Sequence, residues 1–148
     1  MSRKQRIEHL KQFAEDRGQD AARALADRRR VLEETDGQLN QLIVYRDEYT
    51  GHTPVTAEQT GANLRDYWRF MSRLNTAIVE HRERIDQQRI ALEQSFCRWQ
   101  ESQREVAILD KVIDRLGTAE RRAQERQGQR IQDDLSSRYA NLPRSDES

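Results

Sequence analysis

Leu64, Met71, Ile78, Ile85, Leu92, Trp99, Val106 and Ile113 recur every seven residues, and each of them is apolar. A seven-residue repeat advances at ~3.5 residues per turn, slightly less than the ~3.6 of a straight α-helix, so the stripe drifts around the helix surface. It keeps facing one neighbour only when two helices wrap around each other as a coiled coil. With these residues as heptad position a, position d holds Tyr67, Leu74, His81, Gln88, Ser95, Ser102, Leu109 and Leu116. The d layer is apolar at both ends and polar through the middle. A complete a stripe beside a mixed d stripe fits a two-stranded coiled coil better than a multi-helix bundle.

The partner strand is found upstream. Leu25, Leu32, Leu39 and Arg46 take position a, and Arg28, Thr35, Leu42 and Tyr49 take position d. Before them, Ile7, Leu10, Ala14 and Ala21 keep a three-four rhythm that slips between Ala21 and Leu25, a slip that a four-residue stutter would absorb. The rhythm stops at Thr50-Gly51-His52-Thr53-Pro54, where Gly51 and Pro54 break a helix. Thr56-Ala57-Glu58-Gln59 has the form of a capping box for a second helix. The expected fold is all-α: one antiparallel two-helix coiled-coil hairpin over residues 1–140, with helices at about 3–50 and about 58–138 and a turn at about 51–57. The second helix is the longer, over ~100 Å at ~1.5 Å per residue, so the hairpin is a rod. Gly117 is expected to interrupt it and Gly128 to weaken it. Beyond them Ile131, Leu135 and Tyr139 form a sparse stripe, and residues 141–148 read as a disordered tail.

Composition agrees with a narrow seam. The chain has 148 residues, of which 35% are charged and 34% hydrophobic, too few apolar side chains for a broad core. The 26 bases and 26 acids cancel, and they cancel locally: ten and ten in residues 1–50, ten and ten in 51–116, six and six in 117–148. No stretch offers the sustained positive field that a phosphate backbone requires, so nucleic acid is not expected as a partner. Arg28-Arg29-Arg30 is surrounded by Asp27, Glu33, Glu34 and Asp36 and reads as a solvated face. No apolar run approaches the ~20 residues of a membrane span, and no signal peptide is visible. A cytoplasmic location follows as the expectation.

Nothing in the chain has the form of a catalytic site. His9, His52 and His81 are scattered without a ligand-type partner one helical turn away, so no metal is expected. Cys97, the only cysteine, falls at position f with no His or Asp constellation beside it. There is no glycine-rich phosphate loop, so the chain is not itself an ATPase. No cofactor is expected, and the chain reads as a non-enzyme.

One stripe does depart from coiled-coil practice. Gln38, Leu42, Tyr45 and Tyr49 are spaced four, three and four apart, as are Phe70, Leu74, Ala77 and His81. In the heptads above, Gln38, Tyr45, Phe70 and Ala77 are g, and the other four are d. In an antiparallel pair the g positions of the two helices flank each other, so both stripes meet on one side near the turn. Position g usually carries Glu, Lys or Gln, yet here it holds Tyr45 and Phe70. Either these rings widen the seam, or they form a surface kept apolar for a partner. Trp99, at a, is most simply core, whereas Trp68, at e, fits seam or interface.

The phrases Leu10-Lys11, Ala14-Glu15, Asp20-Ala21-Ala22-Arg23, Gln38-Leu39, Leu42-Ile43, Tyr45-Arg46-Asp47-Glu48-Tyr49, Phe70, Leu74, Ala77-Ile78 and His81-Arg82 occur in an order and spacing that resembles the FliJ family, the coiled-coil stalk proteins of the bacterial flagellar type III export apparatus. The resemblance covers nearly the whole chain. It implies a hairpin similar to the central stalk of rotary ATPases, which inserts into the hexameric flagellar export ATPase and promotes ring assembly. It further implies contacts with the cytoplasmic domain of the export gate membrane protein, with the ATPase regulator and with substrate-specific export chaperones, which the family helps recycle. The expected location is the cytoplasmic face of the inner membrane at the flagellar base, without direct insertion in the membrane, and the expected role is in flagellum assembly and motility. The family's gate-binding surface matches Gln38, Leu42, Tyr45, Tyr49, Phe70, Leu74, Ala77 and His81, the stripe already drawn. The ATPase would meet the opposite end, where Lys4, Arg6, Lys11, Lys111 and Arg115 are candidate contacts. The alternatives are the stalk of a related virulence-type III secretion system and a general export chaperone that binds unfolded substrates.

Overall fold

The computed structural model describes residues 2–51 and 61–143. Two helices account for nearly all of them: α1 (Arg3–Gly51, 49 residues) and the longer α2 (Gly61–Ala140, 80 residues). This is the expected helical hairpin, with boundaries within three residues of those read from the periodicity. The capping box at Thr56–Gln59 and most of the turn lie outside the described residues. A different box opens α1. The Gln5 backbone N–H donates to Ser2 Oγ at 3.2 Å, and the Ser2 N–H donates to Gln5 Oε1 at 3.0 Å. Two amides that no helical carbonyl could reach are thereby satisfied.

The described helices form two compact units. The larger spans Arg17–Ser102. Its core is Leu39, Met71, Leu74, Ile78 and Ile85, with Leu32, Leu42, Ile43 and Tyr67 packed against it. Ile78 is the most enclosed large side chain, 2% exposed. The smaller unit joins Met1–Asp16 to Gln103–Ser148. There Ala14 is fully buried, Lys4 lies against Gly117, and Lys11 pairs with Asp110. As α1 advances from Lys4 to Lys11, its neighbours on α2 step back from Gly117 to Asp110, so the pairing is antiparallel. The Asp110 carboxylate, which accepts a hydrogen bond from the Lys11 ammonium, raises that amine above its ordinary value against the opposing effect of partial desolvation.

Burial follows the heptads closely. On α2 every a and d residue is buried or half-buried except Leu64, in the first turn. On α1 the covered positions are 4, 7, 11, 14, 18, 21, 25, 32, 35, 39, 42 and 46, a continuous three-four alternation. The expected stutter is therefore absent. It was inferred because Lys4, Lys11 and Gly18 occupy a positions, and neither a lysine nor a glycine reads as apolar. Lysine can lay its methylenes along the seam while its ammonium stays outside. Leu10, assigned to the stripe instead, is 54% exposed. Gly117 and Gly128 do not interrupt α2 either. A helical glycine costs about 1 kcal/mol relative to alanine, too little to end a helix flanked by Leu116, Ala119, Ala123 and Gln124.

The polar middle of the d layer is enclosed. Ser95 and Ser102 are buried, and Ser102 Oγ donates to the Trp99 carbonyl at 2.7 Å. Gln88 Oε1 is buried without a hydrogen-bond partner among the described residues. An unsatisfied buried acceptor costs about 1–3 kcal/mol. Gln88→Leu should therefore stabilise the chain by about 1 kcal/mol or more, read as a raised midpoint in urea with an unchanged slope. A lowered midpoint would mean that the amide has a partner after all.

Candidate functional site

All eight residues of the unusual stripe belong to the larger unit, contributed by the last three turns of α1 and the early turns of α2. Their surroundings differ. Tyr45, Tyr49 and Phe70 are 53%, 42% and 38% exposed, although all are large and apolar-faced. The rings of Tyr45 and Tyr49, one turn apart on α1, stack with centroids 5.7 Å apart and planes at 21°. Tyr49 meets Phe70 of α2 at 4.6 Å and 40°. A chain of three rings thus crosses from one helix to the other along the outside of the seam. The Tyr67 hydroxyl donates to the Tyr49 carbonyl at 3.4 Å and ties the end of α1 to α2 at the same height.

The other residues support this chain from below. Leu74 is 7% exposed and belongs to the core. Leu42 is half-buried against that core. Ala77 and His81 are half-buried, and His81 Nδ1 donates to the Ala77 carbonyl at 2.9 Å, which fixes the imidazole along its own helix. Gln38 is exposed. The stripe is therefore both of the things the sequence allowed: Leu74 and Leu42 are seam, whereas Tyr45, Tyr49 and Phe70 are surface. Val44, at position f and 56% exposed, extends the apolar surface beside Tyr45, in a shallow depression that Asn40, Gln41 and Glu48 also line. A valine at the outermost heptad position was the signal that could have identified it.

The basic side chains considered at the other end lie in the smaller unit. Lys11 is committed to Asp110 and to the seam, and Lys4 is half-buried, while Arg6, Lys111 and Arg115 are exposed. Among the described residues no cluster of His, Cys, Asp or Glu could hold a metal ion, and no helix is long and apolar enough to cross a membrane. Cys97 is a free, exposed thiol.

The family model described as the flagellar FliJ protein matches residues 3–145. The chain belongs to the flagellar FliJ protein family. Members similar to it include the flagellar FliJ protein of Escherichia coli (strain K12), 29% identical over 133 residues that cover 88% of this chain and 90% of that one. The flagellar FliJ protein of Salmonella typhi is also 29% identical, over 136 residues that cover 90% and 92%. The match thus spans both helices in full, and FliJ family membership applies to the hairpin as a whole.

Proposed function

We propose that this chain is a non-enzymatic stalk and coupling component of the flagellar protein export apparatus. The observation that carries the reading is the chain of Tyr45, Tyr49 and Phe70, held across two helices with its faces open. Rings fixed in this way lose little conformational entropy on binding, and contiguous apolar surface rimmed by charge marks an interface. Gln38, Leu42, Tyr45, Tyr49, Phe70, Leu74, Ala77 and His81 contact the cytoplasmic domain of the export gate, with Leu42 and Leu74 acting as the floor that sets the rings. The smaller unit meets the hexameric export ATPase and promotes assembly of its ring. The ATPase regulator and the substrate-specific export chaperones, which the protein helps recycle, complete the set of partners. The protein works peripherally at the cytoplasmic face of the inner membrane.

Two measurements test this reading together: turnover of the cognate flagellar export ATPase at rising concentrations of the full chain, and retention of the gate's cytoplasmic domain on the immobilised chain. Stimulation that tracks hexamer assembly, with retention of the gate domain, is the expected result. Binding of unfolded export substrate, with neither of those effects, would replace the stalk by a chaperone.

A further inference from the structure

A second exposed face runs along α2 on the flank away from Phe70. Trp68, Val79 and Ile90 are 63%, 52% and 59% exposed, a large amount for such side chains. They are eleven residues apart, and an eleven-residue step is close to three turns of helix, so the three stand in line. None is used by the seam, whose a and d positions lie elsewhere on the helix surface. The upper part of this face is a shallow groove lined by Trp68, Ser72, Asn75, Val79, Glu80 and Glu83 over a floor of buried Met71. Two carboxylates line the groove and no base does; Arg69 and Arg82, the neighbouring bases in sequence, stand outside it. Neither Glu80 nor Glu83 makes a salt bridge among the described residues. Trp68 is fixed by an edge-to-face contact with Tyr67, centroids 5.6 Å apart, which leaves its indole face open.

We infer that this groove is a second docking surface, separate from the aromatic chain, for a basic amphipathic helix of another protein. Apolar side chains of such a helix cover Val79 and Trp68, as an amphipathic helix does when it lies in a groove. The charge fits one sign only. Glu80 and Glu83 are unpaired acceptors beside an exposed tryptophan, and an arginine fits both, since its guanidinium stacks on indole and pairs with carboxylate. An acidic helix would bring like charges together. The inference does not depend on the proposed stalk function, because it uses different residues.

The test uses the full chain and two labelled synthetic helices, one with leucines on a single stripe flanked by arginines, the other with glutamates in place of the arginines. Binding is read by fluorescence anisotropy. The arginine helix should bind and the glutamate helix should not. Trp68→Ala with Val79→Ala should weaken binding about tenfold or more, as loss of anchor side chains does. Both residues are exposed, so this variant keeps the helicity of the parent. Glu80→Gln with Glu83→Gln should weaken binding and flatten its dependence on salt. Tyr45→Ala with Phe70→Ala should leave it unchanged, which separates this surface from the gate-binding one. Equal binding of the two helices, no binding of either, or full binding by the Trp68/Val79 variant would overturn the inference. So would a shift from dimer to monomer in that variant by sedimentation, because the occupant would then be a second copy of the chain.

Discussion

Ile78→Asp is expected to abolish the cooperative unfolding transition of the chain. Ile78 is 2% exposed, at the centre of a cluster of only five buried apolar residues. Loss of a buried isoleucine costs about 2–5 kcal/mol, and a carboxylate without a partner adds several more or must take up a proton to remain inside. A domain has about 5–15 kcal/mol in total, and a narrow seam has no second core to fall back on. The measurement is thermal unfolding followed by far-ultraviolet circular dichroism, with Ile90→Asp as the control on the same helix. Ile90 is 59% exposed, so the control should melt like the parent. Similar melting of all three proteins would mean that the burial of Ile78 contributes nothing to the fold.

The second large effect is expected on binding with little change in stability. Tyr45→Ala with Phe70→Ala removes two of the three rings that span the helices. Aromatic anchors at an interface contribute about 2 kcal/mol or more each, so affinity for the gate's cytoplasmic domain should fall by about a hundredfold or more. The folded chain loses one ring stack and one tilted contact, each about 0.5–1.5 kcal/mol, from residues that are 53% and 38% exposed. Helicity should therefore be retained, with a modest drop in melting temperature. If the double variant loses several kcal/mol of stability instead, these rings are seam and not surface, and the gate contact must be sought elsewhere.

The seam was legible because its signal is periodic. Met71, Ile78 and Ile85 could be placed inside from spacing alone, and polar d residues such as Ser95 and Ser102 were carried in by their apolar neighbours. The aromatic stripe was legible because Tyr45 and Phe70 violate the usual chemistry of position g. What escaped the sequence was local. The Ser2–Gln5 box competes with no apolar pattern and sits in two ordinary polar residues. Lys11 in the seam looked like a surface charge until Asp110 was placed beside it by the register of the other helix. The division of the stripe into rings and floor also needed the structure, since Leu74 and Phe70 carry equal hydrophobic weight in a sequence.

From Glu120 onward every described residue of α2 is exposed, while α1 begins at Arg3, with Lys4 beside Gly117. The last six turns of α2 thus continue without a neighbour. A helix of this kind is held by local propensity alone, and at about twenty residues it is close to the length where that suffices in water. Its amide protons should exchange with solvent through small openings that involve a few residues at a time, whereas those around Ile78 wait for the whole unit to open. The chain is therefore graded along its length. It is protected where two helices share a seam, and it exists as a helix–coil equilibrium at its end, which a binding partner could bias in either direction at small energetic cost.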